Sequence, residues 1–345
     1  MKLQELFKFP IIQGPMAGGA TSPELVAAVS NAGGLGSLAA SLLSPSVMRD
    51  QVALIRGLTD QPFLINLFIQ ETPAPSQEEI RSAAALLEPI WKSLGWDSLP
   101  TPAKWCEDFA AQLDALIAAR PAAASFTFGI LDPSQVERLH NAGIFVIGTV
   151  TSVEEALAWE KVGADAIVAS GTESGGHRGT FIGRQEDSML PASGLWPQVA
   201  PAVGIPMIAA GGIMTGVDIN QALAMGAQAV QMGSAFLVCD ESGINQTYRD
   251  ALIRADDTPT RLTRAFSGRY ARGLENRFMY EMAAVESRVP AYPVQNALTT
   301  AIRAAAAKIG DPELMSLWAG AEIRRARPIP VAQLMQTLVA EMRTE

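Results

Sequence analysis

The sequence predicts an α/β fold: a (β/α)8 TIM barrel with an additional helical lobe. Short apolar runs alternate with amphipathic helical stretches, a pattern typical of parallel strands joined by crossover helices. Eight such runs precede residue 240, and eight is the number of strands that closes this kind of barrel. The chain has 345 residues, 48% of them hydrophobic, which is enough for one elaborated barrel domain. The predicted strands are residues 10–13, 35–38, 63–66, 123–126, 144–147, 166–169, 207–210 and 229–232.

The stretches between these strands carry the start and stop signals of helices. Ser22 is placed to cap a helix, with Pro23 at the first helical position and Glu24 near the positive end of the dipole. That helix is expected to end at residues 31–34, where a glycine can adopt the left-handed conformation of a C-cap. The same ending recurs at residues 141–143, 162–163 and 225–226.

Two regions are longer than a strand-to-helix connection needs. The first is an insertion after the third strand, with helical patterns at residues 77–94 and 104–119, and the second follows the eighth strand and is mostly helical in pattern. Its predicted helices include residues 297–308, 313–318 and 331–343. We therefore predict a barrel made of residues 1–70 and 120–240, and a helical lobe on its substrate side made of residues 71–119 and 241–345.

Composition and charge exclude several classes of protein. A net charge of -9 argues against a nucleic-acid or anionic membrane surface, so neither partner is expected. Cys106 and Cys239 are too few for a disulfide framework, and no spacing of His and Cys predicts a metal site. No secretory signal and no apolar run of about 18 residues is evident, so we expect a cytoplasmic protein.

The residues that can carry chemistry follow the predicted strands, where barrels place their ligands and catalytic groups. They are residues 13–19 after the first strand, Asn66 at the end of the third, 170–179 after the sixth, 211–212 after the seventh and 233–234 after the eighth. These segments are far apart in sequence but would converge at one mouth of the barrel.

Two of these segments predict a phosphate site. Gly211 and Gly212 lead into a helix that starts near residues 215–218, and Gly233 is followed by the hydroxyl of Ser234. Barrels often bind a phosphate with the loops after strands seven and eight, through backbone N–H groups and a helix N-terminus. The alternative is that these glycines serve only tight turns.

The loop at 170–179 contains His177, one of only 2 histidines in the chain, directly after Gly175 and Gly176. Glycines let backbone amides approach a ligand closely, and an imidazole moves protons near neutral pH. His140 lies near the end of a predicted helix and is interpreted as structural. A phosphate-bearing cofactor beside a single proton acceptor fits flavin redox chemistry.

Residues 10–18, 29–37, 171–179, 209–213 and 231–236 resemble the nitronate monooxygenase family, and the likeness runs from about residue 6 to 340. The resemblance implies an FMN-dependent barrel that oxidises alkyl nitronates with O2 to carbonyl compounds and nitrite, without a metal. His177 would be the catalytic base, which extends the reaction to neutral nitroalkanes if it removes their α-proton. The implied FMN contacts are Pro15, Met16, Ala17, Asn66, Ser170, Gly175, Gly176, Gly211, Gly212, Gln231, Met232, Gly233 and Ser234.

The chain departs from the family pattern in its predicted pocket. Ser170 stands where the family usually has glutamine, and Thr127 where one branch has histidine. Tyr292 keeps one tyrosine of that branch, whereas Asn296 replaces a second. Ser234 replaces a threonine and keeps the hydroxyl. We therefore predict substrate contacts from Thr127, Tyr292 and Asn296 in a pocket that differs from that branch.

Other functions and roles stay open at this point. An NAD(P)H-dependent quinone or enoyl-thioester reductase uses the same architecture, and an aldolase or isomerase would typically need a lysine on an inner strand, which no predicted strand has. A flavin-binding protein without catalysis is a third alternative. Arg269 and Arg272 either steer an anionic substrate or pair with neighbouring acids, and Glu173 either orients a loop amide or Arg178 or is solvated. The expected partners are the small substrate, O2 and a second copy of the chain in a homodimer.

Overall fold

A computed structural model describes residues 1–255 and 258–343 and contains the predicted eight-stranded parallel barrel. Its strands follow the order β1-β9-β8-β6-β5-β4-β3-β2. A parallel bridge between Ile12 and Leu35 joins the first strand to the second and closes the ring. The barrel strands are β1 (Ile11–Gln13), β2 (Gly36–Ala39), β3 (Phe63–Phe68), β4 (Ala123–Thr127), β5 (Phe145–Val150), β6 (Ala166–Ser170), β8 (Met207–Ala210) and β9 (Ala229–Met232). All eight predicted strands are confirmed.

The strands form because both of their faces are buried, as in any barrel wrapped by helices. Ile12, Leu64 and Ile208 belong to a cluster inside the barrel. Their neighbours in the chain, such as Ile11 and Ile65, pack outward against the helices in a larger cluster. This alternation explains why the strands are continuous apolar runs in the sequence, since neither face meets water.

The helices begin largely where their caps predict. The Ser22 Oγ accepts a hydrogen bond from the Leu25 N–H at 3.0 Å, so the predicted cap is confirmed. The helices are α1 (Pro23–Asn31), α2 (Pro45–Leu58), α3 (Gln77–Leu86), α4 (Glu88–Ser93), α5 (Phe109–Ala119), α6 (Pro133–Asn141), α7 (Val153–Lys161), α8 (Ala192–Val199), α9 (Gly216–Ala224), α10 (Ser234–Leu237), α11 (Gln246–Ile253), α12 (Arg277–Met282), α13 (Val294–Ile309) and α14 (Val331–Glu341). The single helix predicted at 77–94 is divided into α3 and α4.

The region after the barrel is less helical than predicted. It contains β10 (Thr260–Thr263) and β11 (Ala271–Leu274), which pair antiparallel and continue onto β7 (Gly176–His177). The helix predicted at 313–318 is wrong, because only a 3-10 turn at Pro312–Leu314 forms and Trp318 bridges to Gly273 instead. These residues pair with partners far away in the chain, and such pairing overrides local helical patterning.

A second hydrophobic cluster joins the insertion to the C-terminal region over the barrel mouth. It packs Leu87 and Ile90 of the insertion with Phe266, Phe278 and Leu298. α5 packs against α2 and β3, and α14 packs against α1 and α9, so these two helices lie on the barrel wall. The division of the chain into barrel and lobe at residues 70, 120 and 240 stays a prediction. In the part of the chain that the structure describes, no helix is both long and apolar enough to cross a bilayer.

Candidate active site

The strand-end loops surround a cavity of about 880 Å³ at the barrel mouth, roofed by the lobe. The structure brings together every residue that the sequence assigns to the cofactor or the substrate. The lining includes Pro15, Met16, Ala17, Asn66, Thr127, Ser170, Gly175, Gly176, His177, Gly211, Gly212, Gln231, Met232, Gly233, Ser234, Tyr292 and Asn296. His140 is not part of this lining, and its Nε2 lies 2.9 Å from the Asp165 carboxylate on the outside of the barrel.

One side of the cavity is built from the glycine loops after β8 and β9. Gly211 and Gly212 have φ angles of 121° and 74°, which side chains rarely adopt, so the turn after β8 requires glycine there. Gly233 precedes α10, whose first N–H groups have no acceptor within the helix. The Ser234 Oγ accepts a hydrogen bond from the Gly320 N–H at 2.8 Å. This side offers backbone donors and a hydroxyl, which suits a phosphate.

Two carboxylates approach the glycine loops but are engaged elsewhere. The Glu173 Oε2 accepts from the Ala192 N–H at 2.8 Å, so Glu173 bonds the first residue of α8 and is not simply a solvated acid. Glu322 lies 3.7 Å from the Arg325 guanidinium, which also pairs with Asp218. The carboxylates of Glu173 and Glu322 therefore both already have partners within the protein.

A second part of the cavity lining, the histidine side, carries His177 on β7. Its Nε2 lies 2.9 Å from the Ser267 Oγ, and Ser267 itself donates to the Arg269 carbonyl at 3.0 Å. Assigning the single Ser267 proton to that carbonyl makes the His177 Nε2–H the donor to Ser267 and leaves the imidazole lone pair on Nδ1. The imidazole can therefore accept a proton at Nδ1.

Aromatic rings surround this imidazole. The ring centroids of Trp318, Phe128 and Tyr292 lie 5.4, 5.6 and 5.7 Å from that of His177. Burial first, and then the charges of Arg269 and Arg303, lower the pKa of His177 from 6.5 to about 3. The imidazole is therefore neutral at physiological pH, as a proton acceptor must be.

Three arginines fix the histidine loop by donating to main-chain carbonyls. Arg178 is 1% exposed, and its Nη1 donates to the Ser170 and Gly171 carbonyls at 2.6 and 2.7 Å. The Arg269 Nη1 donates to the Thr180 carbonyl at 2.7 Å. The Arg272 Nε donates to the Thr172 carbonyl, also at 2.7 Å.

This bonding corrects one interpretation of the basic turn. Within residues 1–255 and 258–343, neither Arg269 nor Arg272 has a carboxylate within 4.0 Å, so the expected pairing with acids is wrong. Main-chain carbonyl oxygens around the histidine loop, rather than carboxylates, accept the hydrogen bonds of these two arginines. The physical reason is that the loop leaves strand geometry after β6, and its unpaired carbonyls need donors.

The floor of the cavity is polar. The Asn66 Nδ2 donates to the Ser125 Oγ at 2.9 Å, and Thr127 lies 3.2 Å from the Thr149 hydroxyl. The Ser170 Oγ donates to the Ser174 Oγ at 2.9 Å. Small hydroxyl groups at the ends of β4, β5 and β6 thus form a hydrogen-bonded surface between the glycine side and the histidine side.

Sequence reasoning missed two groups of this site. Arg303 lines the cavity from α13, where an alanine-rich helix gives no hint that one arginine faces inward. Ser267 is fully buried beside His177, 90 residues further along the chain. The glycine pair at 175–176 marks the histidine loop, but no local signal marks the residues that meet it.

Comparisons with known proteins agree with this architecture. The family model described as nitronate monooxygenase matches residues 1–341. A probable nitronate monooxygenase of Staphylococcus aureus strain JH9 is 42% identical over 338 residues, which cover 97% of this chain and 94% of that protein.

Two solved structures are also similar. The nitroalkane oxidase of Streptomyces ansochromogenes has a TM-score of 0.92 and 42% identity, covering 99% of this chain and 97% of that one. FabK of Thermotoga maritima has a TM-score of 0.76 and 29% identity, covering 99% and 95%. The chain therefore belongs to the nitronate monooxygenase family, a family of flavin-dependent oxidoreductases.

Proposed function

We propose that this protein uses FMN and O2 to oxidise alkyl nitronates to carbonyl compounds and nitrite, and that neutral nitroalkanes are poorer substrates. The observation that carries the proposal is a neutral, half-buried imidazole that lines the same cavity as a set of glycine loops. The similarity to the nitroalkane oxidase of Streptomyces ansochromogenes, at 42% identity, supports the same reaction class.

The residues present fit FMN. Positive φ angles at Gly211 and Gly212 leave the turn after β8 without a Cβ, so a phosphate can approach the main chain. At Gly175 a Cβ would lie 2.5 Å from the Gly320 nitrogen, so only glycine allows the two main chains to approach this closely beside the cavity. The hydroxyl of Ser234 adds a polar partner. When bound, FMN supplies the electron transfer and the reaction with O2.

The remaining assigned residues would position the flavin ring. In the proposal, Pro15, Met16 and Ala17 contact it through their backbone, and Asn66, Ser170 and Gln231 present polar groups to its edge. Ser170 is shorter than the glutamine usual in the family, and its hydroxyl already donates to Ser174. The proposal therefore assigns the ring a weaker side-chain contact at this position than its relatives make.

His177 would act differently on the two forms of substrate. A nitronate has already lost its α-proton, so the imidazole needs only to orient the anion. A neutral nitroalkane must give its proton to Nδ1, and a base with a pKa near 3 accepts it poorly until an anion enters the cavity. A nitronate makes no such demand on the base, which is why the proposal places nitronates first.

An absorption spectrum followed by anaerobic titration tests the proposal. We expect the purified protein to be yellow and to release FMN on denaturation, and its flavin absorbance to bleach when an alkyl nitronate is added without O2. Admitting air should restore the absorbance and yield nitrite. A colourless protein that does not take up added FMN would disprove the proposal.

The same experiment addresses a reductase. The second candidate is the NAD(P)H-dependent quinone or enoyl-thioester reductase that the sequence leaves open, because such an enzyme uses the same architecture. Rapid anaerobic bleaching by NADH or NADPH, with no response to nitronates, would assign the protein to that class. A homodimer and a cytoplasmic location stay predictions.

A further inference from the structure

Arg303 is a cation inside the cavity whose role the proposed reaction does not yet include. It lies on α13 (Val294–Ile309), and its side chain lines the cavity together with Tyr292 and Trp318. The loss of surrounding water lowers its pKa to about 10, so the guanidinium stays charged at neutral pH. Its charge also reaches His177, where it opposes protonation of the imidazole.

The hydrogen bonds of Arg303 all go to uncharged acceptors. Its Nη2 donates to the Asn296 carbonyl at 2.8 Å and to the Asn296 Oδ1 and Thr300 Oγ1 at 3.0 Å. Its Nη1 is 3.4 Å from the Ser316 Oγ, at the limit of a hydrogen bond. Asn296 therefore aligns one edge of the guanidinium, and the other edge is weakly bonded.

No carboxylate compensates this charge. Across the described ranges 1–255 and 258–343, no Asp or Glu oxygen lies within 4.0 Å of Arg303. The other charged side chains of the cavity lining are occupied: Lys104 bonds Glu107 at the outer rim, Glu173 bonds Ala192, and Glu322 lies beside Arg325. A partly desolvated cation without a counter-ion favours an anionic ligand.

The position of Arg303 matches the reacting group. Its charge and that of Arg269 both act on His177, whose ring contacts Tyr292 and Trp318 of the same wall. Arg269 is committed to the Arg178 and Thr180 carbonyls, so Arg303 is the arginine of this pair that lines the cavity. Arg303 and His177 therefore line one cavity, and an anion held beside the imidazole is exposed to the Arg303 charge.

We propose that Arg303 binds the negative charge of the substrate and selects the nitronate anion over its neutral nitroalkane, an assignment that rests on the proposed function. Asn296 is the positioning residue that holds the guanidinium against α13. The site thus discriminates by charge at the part of the cavity lining that α13 contributes, and alkyl nitronates are the substrate class that it favours.

Kinetics of Arg303→Gln and Arg303→Lys in the FMN-loaded enzyme test the assignment. Glutamine removes the charge and keeps hydrogen-bonding groups, so KM for an alkyl nitronate should rise about 10- to 100-fold, the range of a lost charged hydrogen bond. KM for the parent nitroalkane at the same pH should change less than about threefold, since a neutral ligand makes no such bond. Lysine should restore part of the loss. Equal changes for both substrates, or a lysine variant no better than glutamine, would overturn the assignment.

Nitrate provides a readout that does not depend on turnover. It is a planar anion with the O–N–O geometry of a nitronate, and its binding can be followed through the flavin spectrum or through tryptophan fluorescence, to which Trp318 beside His177 contributes. Nitrate should compete with the nitronate in the wild-type enzyme, and its Kd should rise at least tenfold in Arg303→Gln. Lys308→Gln, which removes an exposed charge from the same helix, should leave the nitrate Kd unchanged.

The two proposals fail in distinguishable ways. If the wild-type protein binds nitrate through Arg303 but oxidises no nitronate, the proposed function is wrong and the anion site stands. If nitronates are oxidised but nitrate neither competes nor perturbs the spectrum of the wild-type enzyme, the Arg303 assignment is wrong. The second result needs no variant, so it applies even if Arg303→Gln does not fold.

Discussion

The two sides of the cavity are built in different ways. On the glycine side, each loop follows its own strand directly, and the groups on offer are mainly backbone N–H donors after β8 and β9. On the histidine side, the side chain of His177 meets Ser267 and Trp318, 90 and 141 residues further along the chain. The first side depends on local turn geometry, whereas the second depends on long-range assembly.

In the proposed function, this difference separates cofactor binding from the chemical step. Backbone donors cannot be removed by a side-chain change, so the glycine side is sensitive to added bulk and insensitive to most polar substitutions. The histidine side depends on particular side chains and on the arginines that bond its carbonyls. We therefore expect substitutions on the two sides to separate cofactor retention from turnover.

The largest effect should come from His177→Ala. Because the variant leaves the glycine side intact, it should keep its FMN, while turnover of a neutral nitroalkane falls about 100- to 10,000-fold through loss of the proton acceptor. Steady-state nitrite production and the flavin spectrum measure the two properties. His140→Ala, which changes the exposed histidine outside the cavity, is the control. Unchanged turnover in His177→Ala would remove the base assignment.

Gly212→Val should produce the converse result. A side chain at φ 74° is strained and crowds the turn after β8, so we expect FMN affinity to fall about 100-fold while the apoprotein still folds. Equilibrium dialysis measures the affinity. Gly183→Val is a matched control, because Gly183 has φ 73°, no neighbour within 4 Å of an added Cβ, and no place in the cavity lining. Full FMN occupancy in Gly212→Val would contradict the phosphate assignment.

Arg269→Met tests whether the carbonyl bonds stabilise the histidine side. Loss of the bonds to the Arg178 and Thr180 carbonyls should lower the free energy of unfolding by about 1–3 kcal/mol. FMN affinity should stay within about twofold, since the glycine side is untouched. Chemical denaturation and dialysis give the two values. Arg184→Met should change stability by less than about 0.5 kcal/mol, because its side chain is 76% exposed. Equal losses in both variants would show that the carbonyl bonds are unimportant.

The smallest effect is a dependence of stability on pH. The folded protein holds the pKa of His177 at about 3, below its ordinary 6.5, so between these values only the unfolded chain takes up the proton. The wild-type apoprotein should therefore lose stability relative to His177→Gln as pH falls through this window, by at most about 1.4 kcal/mol per pH unit. Urea denaturation of both proteins at pH 7, 6 and 5 measures the difference. A constant difference would mean that the imidazole is well solvated.

The same contrast explains what the sequence could predict. The barrel strands are continuous apolar runs, and the glycine loops follow them at once, so both are visible within a few residues. The strand pair β10–β11 escaped prediction because Thr260–Thr263 is only partly buried and lacks an apolar run. Arg303 escaped for a related reason. An arginine on an alanine-rich helix normally faces water, and this one faces the cavity only because α13 packs over the barrel mouth.

The roof also sets an order of events during synthesis. Gly320 bonds Ser234, and Trp318 packs on His177, so the cavity wall is complete only after the ribosome has released the chain beyond these positions. The barrel strands emerge about a hundred residues earlier and can close first. α14, which packs on the barrel wall, emerges later still, so an enclosed cavity forms only when nearly the whole chain has been synthesised.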